Sequence, residues 1–404
     1  MTTPTSRTQP RITVVGGGIG GLATAAFLAR HGLTAHVLEQ AAELREVGAG
    51  VVAAPNIVRL LRRLGRYEDF SRSAVPLRAA WQFQRWEDGR VLSTERLDPA
   101  CEQLYGERTY TAHRADLLAT VRGAVPAEQV SLGVRAVGVT EVGDHYRIDL
   151  ADGSSHEADV VVAADGVHSV LRQQLAAPEE PEPSGIVAYR ALVPAEHAPP
   201  GAREPVHTLW LGPDHHLVHY PVSAGRLVNV VAFGPAGDDR DDSWTAETTV
   251  EQFRAEFAGW DRRVTDLVAA SGRVGRWALL DRPPLPRWTF GGVTLLGDAA
   301  HPQFPFYAQG AAQAVEDAAT LAVTLSTTPD DPHAALLRYE ELRRARTAEI
   351  QRISHGRVHA NHLPDGAAQR ERDARLADGD PLVANGWIYG HDAEAVALAA
   401  EGRT

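Results

Sequence analysis

The chain has 404 residues, 44% of them hydrophobic, enough for two or three domain-sized units around a substantial buried core. Its net charge of −12 sets the surface as a whole against nucleic acid and anionic lipid, and its arginines are spread rather than collected in one basic tract. A lone cysteine, Cys101, excludes an intrachain disulfide and a multi-cysteine metal site, a composition that suits a reducing cytosol.

The polar opening MTTPTSRTQP lacks the apolar stretch of a secretory signal, and no apolar run approaches the roughly 20 residues a membrane helix needs, so a soluble cytoplasmic protein is expected. RITVV (11–15) predicts a buried strand that breaks on glycines. LATAAFLARHG predicts a helix ending at Gly32, and LTAHVLEQ a second strand, which together make a βαβ unit. PNIVRLLRRLG (55–65) is a further amphipathic helix, with proline at its start and glycine after its end. Short strands around Asp88-Gly89 follow between 79 and 98, then a helix at 113–124. Strands are expected at 129–140, 145–150 and 156–163.

From about 181 to 275 the pattern is β-rich (GIVAYRALV, HTLWLG, HHLVHYPV, RLVNVVAF), with two helices around 247–270. A strand at 292–296 and two long helices, about 309–325 and 333–358, come next, and the tail 362–404 reads as only partly structured. The organisation is an α/β fold: a discontinuous nucleotide-binding domain (1–78, 99–180, 275–330), a β-rich substrate domain (79–98, 181–274), and a C-terminal helical extension (331–404).

GGGIGG places Gly16, Gly18 and Gly21 in G-x-G-x-x-G spacing between a strand and a helix. Such a turn needs a tight bend, close backbone approach to a pyrophosphate and close helix–strand packing, and the helix start offers free N–H groups to phosphate. Glu39 ends the second strand, where a ribose-binding carboxylate belongs. An ordinary strand–helix turn is the bland alternative, and NAD and FAD sites look alike here.

Two further segments end a buried strand on an acidic residue: ADGVHSVLR at 164–172, with Asp165, and GDAAHP at 297–302, with Asp298. With the glycine turn they form three ordered motifs that resemble the single-component FAD-dependent aromatic hydroxylases, the p-hydroxybenzoate hydroxylase type of flavoprotein monooxygenase. The resemblance runs over nearly the whole chain. YRALVP, GPDHHLVHYPV, FAGW, HLPDG and GWIYGHDA look closest to the salicylate and 3-hydroxybenzoate hydroxylase branch.

The resemblance implies a Rossmann-like domain holding non-covalent FAD, with NADH or NADPH and O₂ as co-substrates. It also implies hydroxylation of a phenolic or carboxylated aromatic ring through a C4a-hydroperoxyflavin. A natural-product tailoring oxygenase or a purine-type hydroxylase on the same fold is the alternative. The W-x-W-x-I-P motif of flavin halogenases is absent. A flavin-binding scaffold without turnover is the non-enzyme reading, against which the joint presence of Asp165, Asp298, Pro305 and Gly310 argues.

Residue by residue, the resemblance gives Asp298 the flavin's ribityl or ribose hydroxyls and Asp165 a supporting place for FAD and nicotinamide nucleotide. It gives Arg114 the FAD pyrophosphate, with Arg45 a second candidate for the same phosphates. The helix opening at Gly310 and Ala311 would aim its N-terminus at the isoalloxazine N1–C2=O edge, where negative charge appears on reduction. Pro305 matches the proline whose carbonyl lies near the flavin–oxygen chemistry, and His301-Pro302-Gln303 departs from the common His-Pro-Met. A dimer is common among such proteins.

Period two along HHLVHYPV puts His216, Val218 and Tyr220 on one face and His215, Leu217 and His219 on the other. The branch's substrate-contacting His and Tyr are four apart, which matches His216 as base or phenol partner and Tyr220 as orienting group; a cavity-facing His219 would invert the assignment. His355, His359 and His362 share a helical face, but no H-E-x-x-H pattern supports metal binding. Trp81 and Trp86 read as strand packing, and Cys101 has no base partner.

Overall fold

In the computed structural model, which describes residues 9–44, 50–176, 182–237 and 246–402, Ile12–Val15 is buried along its whole length within a six-stranded sheet. The order across that sheet is Thr289–Phe290, Val293–Leu295, Val160–Ala163, Ile12–Val15, Ala35–Glu39, Val130–Leu132, with every pair parallel except the first. Strands buried on both faces need no polar alternation, which is why ITVV and VVVA read as continuous apolar runs. The chain runs to one side of Ile12–Val15 first and to the other later, so the switch point of the sheet lies at that strand's carboxyl end, beside Gly16.

Helices Ile19–Arg30 and Gly310–Thr327 pack against each other beside this sheet. Gly20 permits the approach, since a Cβ there would lie 2.9 Å from Leu296 Cδ2 and 3.1 Å from Ala314 Cβ.

A second sheet has eight strands in the order Glu247–Thr248, Val274–Asp281, Glu182–Pro194, Leu227–Pro235, His216–Val222, Val206–Leu211, Ala79–Arg85, Val91–Arg96. Segments 79–96 and 182–281 thus share one sheet. Its outer face packs Leu217, Val230 and Ala232 against Phe253, Phe257 and Leu267 of helices Val250–Glu256 and Arg262–Ala269. The opposite face, one residue out of phase, carries Leu209, Val218 and Tyr220 into a different cluster beside the first sheet.

Three expectations change. The strand expected at 129–140 divides into Val130–Leu132 and Ala136–Val142 in different sheets, because Gly133 turns the chain at φ +72°. The strand expected at 156–163 divides into Ser155–Ala158 and Val160–Ala163 at Asp159, whose carboxylate accepts from Arg11 N and its guanidinium. The tail forms four helices, Ala367–Asp378, Pro381–Ala384, Gly386–Tyr389 and Ala393–Ala400. Asp380 and Asp392 cap two of them, and Glu394 anchors the last to Arg30, His31 and Arg63. These are contacts across more than 300 residues that no local pattern announces. Among the described residues no helix is long and apolar enough to cross a membrane.

Candidate active site

The glycine turn closes on itself first. Gly16 sits at φ +108°, and a Cβ there would lie 2.3 Å from Ala164 O; a Cβ on Gly21 would lie 1.9 Å from Gly16 O. Both positions therefore require glycine for backbone reasons. Gly18 differs: a Cβ there would meet nothing within 4 Å among the described residues, and Gly18 opens onto a cavity at the start of helix Ile19–Arg30. No side chain caps that helix, so its first N–H groups remain for an anion. Glu39 stands beside the turn, its carboxylate accepting from Gly17 N at 2.6 Å and Ala41 N at 2.7 Å.

The Gly297-Asp298 turn faces the same cavity. Gly297 is left-handed (φ +61°) and leaves Asp298 exposed on the wall. Asp317 locks the turn from behind: one oxygen accepts from Gly297 N (3.1 Å) and bonds His301 Nε2 (2.6 Å), while the other accepts from Arg343 Nε (2.7 Å). Burial alone would push the Asp317 carboxyl up, but His301 and Arg343 hold it below the usual range. The loop Pro302–Phe306 is fixed by helix Pro332–Asn361, where Gln351, Ser354 and Arg357 donate to the carbonyls of Pro302, Phe304 and Phe306. Helix Gly310–Thr327 then opens with no side-chain cap, and Gly310 and Ala311 line the cavity.

The cavity, about 330 Å³, runs from these two helix starts to the inner face of the large sheet. His216, Val218 and Tyr220 line it, as the period-two reading expected, while His219 turns away and accepts from Trp210 Nε1 (3.2 Å). His216 is 1% exposed. Its ring stacks on Phe233 (centroids 4.6 Å) and meets the edge of Phe306 (5.2 Å), and its Nδ1 lies 2.6 Å from His362 Nε2. Burial first, then the neighbouring histidines, holds its pKa well below the ordinary value, so it is a neutral imidazole. Burial likewise pushes the Tyr220 phenol up, with the Arg190 charge opposing.

Residues 9–354 match the family model for the FAD binding domain. The chain belongs to that family. It is 40% identical to the 3-amino-4-hydroxybenzoate 2-monooxygenase PtmB3 of Streptomyces platensis, over 97% of this chain and 98% of the relative. It is 36% identical to 3-hydroxybenzoate 6-hydroxylase 1 of Aquipseudomonas alcaligenes, over 94% and 98%. A solved salicylate hydroxylase substrate complex superposes with a TM-score of 0.82 at 28% identity, covering 98% of both chains. This protein is an FAD-dependent aromatic monooxygenase.

The residues present fit that cofactor. A glycine cradle, two helix starts without side-chain caps, and Arg114 on the wall are donors for a pyrophosphate and a flavin carbonyl, and the exposed Asp298 is an acceptor for hydroxyls. Of the flavoenzyme's sequence-read positions, Gly18, Arg114, Asp298, Pro305, Gly310, Ala311, His216 and Tyr220 line the one cavity; Gly16, Gly21 and Glu39 shape the turn beside it. Asp165 behaves otherwise. Its carboxylate accepts from Ser169 Oγ (2.5 Å) and Val170 N (3.0 Å) at the start of helix Val170–Leu175, and it is Gly166, Val167 and His168 that reach the wall. Arg45 lies outside the described residues.

Several wall residues of the monooxygenase escaped the sequence reading. Trp81, read as packing, lines the cavity from a bulge at φ +44°, and Arg357 lies over its ring at 4.3 Å. Arg190 and His207 line it too. Period two would have put each on one of two faces, but which face meets the cavity depends on strand pairing. The helical histidines separate: His355 bonds Asp281 Oδ1 (2.7 Å) and His362 bonds His216. Trp86 packs on Trp260, and Cys101 is buried beside Thr109 with its thiol pushed up to about 11 by burial.

Proposed function

We propose that this monooxygenase hydroxylates a one-ring hydroxyarene carboxylate with NAD(P)H as reductant, and that His216 and Tyr220 hold the ring. The observation that carries the reading is the His216–His362 pair: a neutral, fully buried imidazole in the cavity wall, bonded through Nδ1 to the half-buried His362. That bond leaves His216 Nε2 for a phenolic O–H. A neutral imidazole there accepts the phenolic proton, and His362 gives the proton on the other side a route outward. The relatives' substrates, as their names state them, share a hydroxyl and a carboxylate on one benzene ring.

Tyr220 orients the ring, and Phe233, Phe306, Trp277 and Leu279 keep water from it. Arg114, Asp298 and the helix starts at Gly18 and Gly310 hold FAD; Pro305 presents backbone beside it. When bound, FAD would carry the reducing equivalents of NAD(P)H to O₂ and so supply the activated oxygen. In the domain division that accompanies this reading, the expected segments 79–98 and 181–274, joined by the strand Val274–Asp281 of the same sheet, shape the substrate end.

The experiment is NAD(P)H oxidation by the FAD-loaded protein with and without a panel of hydroxybenzoates and aminohydroxybenzoates, with product analysis. Stimulation accompanied by a hydroxylated product is expected. Absence of stimulation by every member of the panel would overturn the substrate class.

A further inference from the structure

At the end of the cavity away from His216, the large sheet brings three polar side chains from neighbouring strands into one row. Asn229 pairs with Tyr220, and His207 lies one step beyond the Thr208–His219 pair with its ring 5.2 Å from that of Tyr220. His207 is 4% exposed and lines the cavity, yet its Nδ1 has no hydrogen-bond partner among the described residues. Asn229 stands behind the wall, fully buried, and its Oδ1 accepts from Gly50 N at 2.7 Å.

A buried polar atom left unpaired is costly, and folded proteins pair the great majority of such atoms. One in the wall of a cavity, beside the Tyr220 hydroxyl, points to a ligand that completes it. Burial pushes His207 down to about 3, so the imidazole is neutral and one of its nitrogens carries a proton to donate. One register away Arg190 lines the same cavity, its guanidinium 4.4 Å over the Trp277 ring and its charge felt at the Tyr220 hydroxyl.

We propose that this row binds the substrate's carboxylate: the His207 N–H and the Tyr220 hydroxyl donate to it, and the Arg190 charge on the same wall favours an anion there. The inference rests on the reading of His216 as the phenol's partner, and it sets the ring's substitution pattern. His216 lies four residues from Tyr220 along one strand, roughly 13 Å. A benzene ring with hydroxyl and carboxylate on opposite sides, plus a hydrogen bond of about 2.8 Å at each end, spans a similar length. A ring with the two groups adjacent is too short to engage both ends. The enzyme therefore favours a carboxylate para to the hydroxyl over an ortho one.

The test is equilibrium binding to the FAD-loaded enzyme, read from the flavin absorbance without reductant. The probes are 4-hydroxybenzoate, 4-hydroxybenzamide, phenol and salicylate; the proteins are wild type, His207→Leu and His207→Gln. Wild type should bind 4-hydroxybenzoate at least about tenfold more tightly than the amide or salicylate. His207→Leu should abolish that preference while leaving phenol unchanged, and His207→Gln, which keeps a donor, should restore part of it. An unchanged carboxylate preference in His207→Leu would overturn the proposal and place carboxylate recognition elsewhere in the cavity. Should that variant fail to hold FAD, the wild-type series decides alone, with equal affinity for acid and amide overturning the idea. Binding without carboxylate dependence sinks this inference only; a wild-type flavin that no hydroxyarene perturbs sinks the proposed function and this inference together.

Discussion

His216 shows how much one side chain owes to its surroundings. An imidazole in water is half-protonated near neutrality, but here burial, with His362 beside it, lowers the His216 pKa and favours the neutral form. Replacing it should therefore cost chemistry rather than folding. We expect His216→Gln to lower substrate-stimulated kcat by about 10²–10⁴, the range for a general base, with FAD content unchanged. Stopped-flow reduction of the flavin by NAD(P)H alone should be the same in both proteins. A variant with near wild-type kcat would return His216 to the status of a packing residue. Gly16 makes the opposite case: alanine there meets both φ +108° and the carbonyl of Ala164, so Gly16→Ala should lose FAD and soluble expression together.

The element that organises the end of the cavity opposite the large sheet is helix Gly310–Thr327. Its start faces the cavity, and its second turn carries Glu316 and Asp317, both wholly buried. Arg343 spans the pair, bonding Glu316 Oε2 and Asp317 Oδ1 at 2.7 Å each, and Arg346, Asn56 and Gln313 complete the shell. Such a network holds the helix at one height relative to the Gly297-Asp298 turn, since Asp317 bonds both His301 and Gly297 N. Asp317→Asn removes the charge but keeps the shape, leaving Arg343 and His301 short of a counter-charge inside the fold. A loss on the order of 3 kcal/mol is expected, read as a lower urea midpoint and faster FAD release on dilution. The Asp317 pKa is depressed in the fold, so its contribution is present above the ordinary carboxyl range and lost as pH falls through the folded value.

At the scale of the whole molecule, the C-terminal tail closes the structure, and two carboxylates at its contacts, Glu394 within it and Glu95 beneath it, give stability opposite pH dependences. Glu394, held by His31, Arg30 and Arg63 against the cost of burial, is pushed down to about 2; its contribution is present above about 4.5 and fades toward about 2. Glu95 is 1% exposed beneath Asn385 and Tyr389, and burial pushes it up to about 7 against the opposing effect of those two donors. The folded state thus keeps a proton there that the unfolded chain has released, so the Glu95 contribution is full below about 4.5 and is lost as pH rises through about 7. Glu95→Gln should remove that loss. We expect the urea midpoint of the variant to exceed wild type at pH 8 by a margin that shrinks at pH 5, a difference on the order of 2–3 kcal/mol. Equal margins at the two pH values would show that Glu95 titrates as an ordinary carboxylate.

What the sequence determined by itself was whatever is written locally. The glycine spacing of the first turn, the buried strands ending at Asp165 and Asp298, and the helix start at Gly310 are each short-range consequences of backbone sterics and apolar runs. So is the face shared by His216 and Tyr220, since alternation is a property of one strand. The tertiary structure decided everything that depends on which strand lies beside which. Pairing put His207 next to Tyr220, a bulge turned Trp81 into the cavity, and the fold carried His362 across 146 residues to His216. It also turned the Asp165 carboxylate into a helix cap and ordered a tail whose sequence is mostly polar and alanine-rich. Register and long-range docking arise from the sum of many weak contacts between distant segments, and no window of the chain contains both partners.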